Sequence, residues 1–210
     1  MAMTEMRMDE FLNELSSKAA VPGGGGASGY AAALGMALGT MVANLTTGKK
    51  KYAEYQEEIE DIIEKSQILT GELAEFMDKD AESFEPLSKA YGLPKDTEEQ
   101  IQEKNRIMEA ALLDASKTPL ELMEKIYKSM LILQRLSVVG SSLAISDVGV
   151  GIQMAQAALN GASLNVFINT KLMKNTGVAK DFNSKADELL DKGNKLADQV
   201  YAAVVDRIRS

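Results

Sequence analysis

The sequence predicts an all-α protein, a helical bundle with a long central helix and buried helices of small residues, and no sheet. Apolar residues recur at steps of three and four along most of the chain, and no stretch alternates with period two between turn signals. Two long zones also lack charge: residues 19 to 48 have none, and residues 136 to 170 have only Asp147. Helices apolar on every side belong in the middle of a bundle, or of a bundle and its symmetric partner. The Gly, Ser, Asn and Gln content of these zones makes them poor membrane spans, which need roughly 20 predominantly apolar residues. A length of 210 residues fits a single domain over 1–210, and 45% hydrophobic residues with few aromatics imply a core of Leu, Ile, Val, Met and Ala.

In chain order, residues 6 to 20 read as a short amphipathic helix with Phe11, Leu12 and Leu15 inward, ended by Val21-Pro22. A glycine loop follows, then a small-residue helix from Ala27 to Thr47, with Gly35 and Gly39 placed for close approach by a neighbour. The longest pattern runs from 51 to 91 through Ile59, Ile62, Leu69, Leu73, Phe76, Met77, Phe84 and Leu87, with a kink expected at Pro86 and a stop at Gly92-Leu93-Pro94. Asp96 or Thr97, with Glu99 or Gln100 three residues on, forms a capping box for a helix to about Lys117. Thr118-Pro119 opens another to about Val139. Helices over 141 to 159, 162 to 174 and 179 to 208 complete the expected set.

Composition also excludes chemistry. A net charge of −8 argues against nucleic acid or an anionic membrane as partner. With neither Cys nor His there is no disulfide, no Ser-His-Asp triad, no Cys-His pair and no imidazole or thiolate metal site, so proton chemistry must run on Asp, Glu, Lys or Tyr. Cytoplasm is the expected compartment, and no metal is expected.

Several residues stand out against that background. Gly24, Gly26 and Gly29 spell G-x-G-x-x-G, but the motif follows a helix in a strandless chain, so the dinucleotide reading fails. A glycine loop at a helix N-terminus still offers free N–H groups to a flat or anionic ligand; a tight connection between packed helices is the equal alternative. Asp80 sits on an apolar stripe where leucine is expected, so desolvation should raise its pKa toward neutrality, unless it is merely paired or at the stripe's edge. Asp147, alone among uncharged residues, needs a partner, a ligand or a capping role. Asn165 and Asn169 share a helix face and offer paired amides to a ligand or a neighbouring helix. Lys49 and Lys50, with Lys51, form either a solvated helix end or a docking point for an acidic substrate tail.

Taken together, "VPGGGGAS" at 21–28, "MVANLTTGKKKY" at 41–52, "DKDAESF" at 78–84, "LPKDTEEQ" at 93–100, "SDVGVG" at 146–151 and "NVFIN" at 165–169 resemble the cyclodeaminase half of formiminotransferase-cyclodeaminase and its free-standing bacterial relatives, the methenyltetrahydrofolate cyclohydrolases. The likeness spans nearly the whole chain, with one departure at Ser141, where many members carry Asn. It implies an all-α homodimer or higher homo-oligomer acting on a tetrahydrofolate derivative as substrate, with no permanently bound cofactor. Asp80 and Asp147 are then the candidate catalytic carboxylates, and Pro22, Gly23, Gly24, Gly25, Gly26, Ser28, Lys49, Lys50, Asn165 and Asn169 the candidate substrate contacts. Cyclohydrolase is the leading activity because the chain carries no transferase domain. Formiminotetrahydrofolate cyclodeaminase is the alternative, and a non-enzymatic helical dimerisation module is the alternative of another class.

Overall fold

The computed structural model describes residues 2–210. Six α-helices occur among these residues: α1 (Met8–Leu15), α2 (Gly24–Asn44), α3 (Gln56–Tyr91), α4 (Glu98–Val139), α5 (Ile145–Thr170) and α6 (Thr176–Arg209). Short 3-10 turns lie at Met3–Glu5, Lys50–Tyr55 and Ser142–Ala144, and there is no strand among the described residues. Helices α3, α2, α5 and α6 lie side by side in that order, and α4 crosses behind and touches all four. The core fills the space between, with Leu73, Phe76, Met130, Leu133, Leu136, Ile152 and Leu159 almost fully buried.

Helix α2, which has no charge, and α5, which has only Asp147, form the centre of the layer because their glycines let backbones meet. A Cβ on Gly151 would stand 2.7 Å from the Gly35 carbonyl oxygen, and a Cβ on Gly35 would meet the Gly151 carbonyl at the same distance. Small residues at this crossing bring α2 and α5 together antiparallel, so the glycine end of α2 lies beside the Asn165 end of α5. By length and composition α2 could cross a membrane, but more than half of its most apolar stretch is buried against neighbouring helices.

Element boundaries differ from expectation in instructive places. The glycine run is not a loop: α2 already begins at Gly24, with Gly23 as its cap residue. The three glycines form the helix's first turn because a carboxylate from α3 takes the Gly26 N–H that a side-chain cap would otherwise satisfy. Thr97, not Asp96, caps α4, in a box with Gln100. No break occurs at Thr118-Pro119; α4 continues through Pro119 because the apolar stripe of Leu112, Ala115, Leu120 and Met123 continues on both sides. The expected helices 141–159 and 162–174 are likewise one, α5, since Gly161 faces Ser28 of α2 as a packing contact and not as a stop. Helix α1 is shorter than 6 to 20, and its Leu12 is exposed while Phe11 is buried against the Tyr30 ring.

The glycine crossing yields a matched pair of expectations. Gly151→Ala lowers stability by about 1–3 kcal/mol, the scale of overpacking a filled core, because both the Gly35 carbonyl and Leu133 must move. Gly71→Ala, on α3 with open space around the added methyl, raises it by about 0.5–1 kcal/mol through helix propensity. Urea denaturation at one protein concentration separates the two signs.

Candidate functional site

Asp80 occupies the step after Phe76 and Met77 on α3, so its side chain leaves the core stripe toward the start of α2. There its Oδ2 accepts the Gly26 N–H at 3.1 Å. A side chain at Gly25 would displace the Asp80 carboxyl group, because a Cβ there would overlap it. Burial pushes the Asp80 carboxyl above its ordinary value, and the Gly26 N–H opposes that shift in part. The first turn of α2 adds the positive end of a helix dipole and unpaired N–H groups beside the carboxylate.

Around Asp80 lies a cavity of about 210 Å³, walled by Gly23 and Gly24, by Ser83 and Phe84 of α3, by Ala115 of α4, and by Asn165, Ile168 and Asn169 of α5. Four helices therefore meet at this one opening. The Asn165 Nδ2 donates to the Gly161 carbonyl at 3.2 Å, and its amide faces Gly24. The Asn169 Nδ2 donates to the Ala115 carbonyl at 2.7 Å. Pro22 is buried behind the glycine turn near Gly26, and the Ser28 hydroxyl is used within its own helix, on the Gly24 carbonyl at 2.7 Å. Of the expected contacts, Asp80, Gly23, Gly24, Asn165 and Asn169 line the cavity. Pro22, Gly25, Gly26 and Ser28 support it from beneath.

Lys49, Lys50 and Asp147 are elsewhere in the chain's fold. They sit past the far end of α2 and in the first turn of α5, separated from Asp80 by the roughly 30 Å length of a 21-residue helix. The Lys49 Nζ donates to the Ser141 hydroxyl at 3.3 Å, and the buried Ser141 N–H donates to Thr46. The sequence reading missed Tyr52 here. Its hydroxyl accepts the Ser142 N–H at 2.9 Å, and the contacts with the Ser142 hydroxyl and N–H draw its pKa down to about 8. The departure at Ser141 thus belongs to this second end and leaves the Asp80 cavity untouched. No group of three or more acidic residues suited to a metal occurs among the described residues.

These motifs have counterparts in known proteins. Residues 7–188 match the sequence profile described as formiminotransferase-cyclodeaminase. The chain belongs to the formiminotransferase-cyclodeaminase family. It is 34% identical over 201 residues to the methenyltetrahydrofolate cyclohydrolase of Methylorubrum extorquens, covering 96% of this chain and 97% of that one. It is 29% identical over 200 residues to the formimidoyltransferase-cyclodeaminase of Sus scrofa, but those residues make up only 36% of that longer protein. The crystal structure of a formiminotetrahydrofolate cyclodeaminase from Thermotoga maritima shares the fold with a TM-score of 0.79 at 26% identity, over 98% of this chain and 96% of that one. Family membership removes the non-enzymatic dimerisation module from consideration, since these relatives are named as enzymes.

The raised Asp80 pKa makes a signed prediction. Folding favours the neutral acid, so Asp80 contributes stability that is fully present below the ordinary carboxylate pKa of about 3.9 and is lost as pH rises through the raised value. The melting temperature of Asp80→Asn minus that of the wild type therefore grows as pH increases from about 4 to 8. A difference that shrinks over that range would mean the carboxylate is stabilised by its surroundings.

Proposed function

We propose that this chain hydrolyses methenyltetrahydrofolate to formyltetrahydrofolate. The observation that carries the reading is Asp80, a partly desolvated carboxylate beside the bare N-terminal turn of α2 on the wall of a four-helix cavity. The 34% identity to a methenyltetrahydrofolate cyclohydrolase over nearly the full length of both chains supports the choice of substrate. The substrate carries a cationic amidinium carbon. The Asp80 carboxylate stabilises that charge and accepts a proton as water adds to the carbon. It then returns that proton to the departing ring nitrogen as the C–N bond breaks. The remaining hydroxyl proton goes to solvent, so formyltetrahydrofolate and one proton leave. Every step uses a carboxylate and water, which a chain without His can supply. No permanently bound cofactor enters this reading.

Cyclodeamination of formiminotetrahydrofolate is the second reading, supported by the names of the Thermotoga maritima structure and the Sus scrofa relative. There the neutral, raised-pKa form of Asp80 supplies the proton with which ammonia leaves as the ring closes. An ammonia assay with formiminotetrahydrofolate, run beside the hydrolysis assay, distinguishes them.

The working form in this proposal is a cytoplasmic homodimer. On the side away from α4, helices α2 and α5 present Leu34, Met41, Leu45, Val150, Leu164 and Ile168, exposed and without a charge among them. An apolar face of this kind, assembled from two helices lying side by side, suits a self-complementary contact. Ile168 also borders the cavity, so the face and the site adjoin. Lys49 and Lys50 reach an Asp80 cavity only through a second copy in this reading: antiparallel pairing of α2 helices brings one protomer's lysine end to its partner's glycine end. Asp147 sits at that same lysine end of the chain.

Two measurements test the proposal. Asp80→Asn cuts turnover of methenyltetrahydrofolate, followed by its absorbance decay, by about 10²–10⁴ fold, the scale of general acid-base catalysis, while tetrahydrofolate still binds. Turnover within a few-fold of wild type would hand the proton transfer to another group. For assembly, sedimentation velocity at micromolar concentration gives a dimer for the wild type and a monomer for Leu164→Glu, which buries a charge in the contact; a wild-type monomer would refute the dimer.

A further inference from the structure

Pro119 lies inside α4, where it costs roughly 3 kcal/mol compared with Ala. Proline has no N–H to donate, so the carbonyl four residues earlier, that of Ala115, loses its helical partner, and the ring also pushes that carbonyl off the helix axis. Ala115 is buried and lines the cavity. A buried carbonyl without a partner is costly, and here the donor comes from another helix: the Asn169 Nδ2 of α5, at 2.7 Å.

This contact fixes more than a position. An asparagine amide can face either way, but a carbonyl only accepts, so the NH₂ group of Asn169 must turn to Ala115. Asn169 also lines the cavity, so with its NH₂ engaged the Oδ1 atom is the acceptor it can offer there. Asn165 is held less firmly, because the Gly161 carbonyl it contacts at 3.2 Å belongs to its own helix and already serves the N–H of residue 165 there. Of the two amides, Asn169 is the one whose orientation the fold dictates.

We infer that Pro119 is a positioning residue for the binding site. By freeing the Ala115 carbonyl it locks Asn169 with Oδ1 toward the cavity, where that oxygen accepts an N–H from the pterin ring of a tetrahydrofolate substrate. This rests on the folate reading above. Pterin edges carry several N–H donors, and a fixed acceptor on the cavity wall discriminates for them. In Pro119→Ala the helix regains its own N–H to Ala115, and Asn169 has to share that carbonyl or turn away.

The experiment is a double-mutant cycle of Pro119→Ala and Asn169→Ala, read by calorimetric titration with tetrahydrofolate and by KM and kcat for methenyltetrahydrofolate. Pro119→Ala keeps or raises the melting temperature, since it relieves a proline inside a helix. Each single variant weakens tetrahydrofolate binding and raises KM by about three- to tenfold, the worth of one hydrogen bond, with a much smaller change in kcat. The double variant is no worse than Asn169→Ala alone, because both act through one amide. Wild-type affinity in Pro119→Ala, or penalties that multiply, would overturn the inference while leaving the folate reading in place. A wild-type chain that binds no tetrahydrofolate would overturn the folate reading, and the inference with it.

Discussion

The hydrogen bond from the Gly26 N–H to the Asp80 carboxylate joins two helices that pack closely just beside it, where Gly29 of α2 lies against Leu73 and Phe76 of α3. Helix α2 begins on three glycines with no side chain of its own to cap it, and α3 carries a charge on a face that otherwise buries Leu73, Phe76 and Met77. Each arrangement is unfavourable alone: glycines are poor helix starters, and a carboxylate resists removal from water. Together they offset one another, because the open N–H groups and the dipole of α2 meet the negative charge of Asp80. The carboxylate stays only partly compensated, which is why its pKa lies above the ordinary range and why it is suited to exchanging protons.

The rest of the bundle serves to hold those two helices in register. The Gly35 and Gly151 contact sets the spacing of α2 and α5, and with it the distance of Asn165 from Gly24. Helix α4 closes the back of the layer through Leu133 and Leu136, and farther along brings Ala115 to the cavity. The site is thus assembled from four helices far apart in sequence. Its shape depends on packing contacts well away from it, where a change of one methyl group is felt.

Much of this was legible in the residues. The stripe through Leu73, Phe76 and Met77 announced α3, and the misfit of Asp80 in that stripe pointed to the cavity because helical periodicity alone assigns each residue to a face. The same periodicity puts Asn165 and Asn169 on one face, and both line that cavity. Helix ends were legible only where the signal is local, as with Thr97 and Gln100. The glycine turn reads as a loop because its cap arrives from Asp80, 54 residues away, and Pro119 reads as a helix start because the carbonyl it orphans, that of Ala115, finds its donor in Asn169, another 54-residue separation. Lys49 and Asp147 were grouped with the glycines on motif alone; spacing within a chain cannot say which end of a long helix a motif occupies, and the antiparallel layering of α2 and α5 sends them to the opposite end.

The clash between any side chain at residue 25 and the Asp80 carboxyl ties the histories of the two positions together. A lineage that keeps Asp80 in this place is held to glycine at position 25, since even a methyl group there takes the space of the carboxyl oxygens and would push the carboxylate out of its place. A lineage that loses the carboxylate is released from that restriction at once, and position 25 is then free to drift toward alanine or serine, which make sturdier helices. Among descendants of a common ancestor, an alanine at position 25 would therefore mark chains whose carboxylate has been lost or has moved from this place.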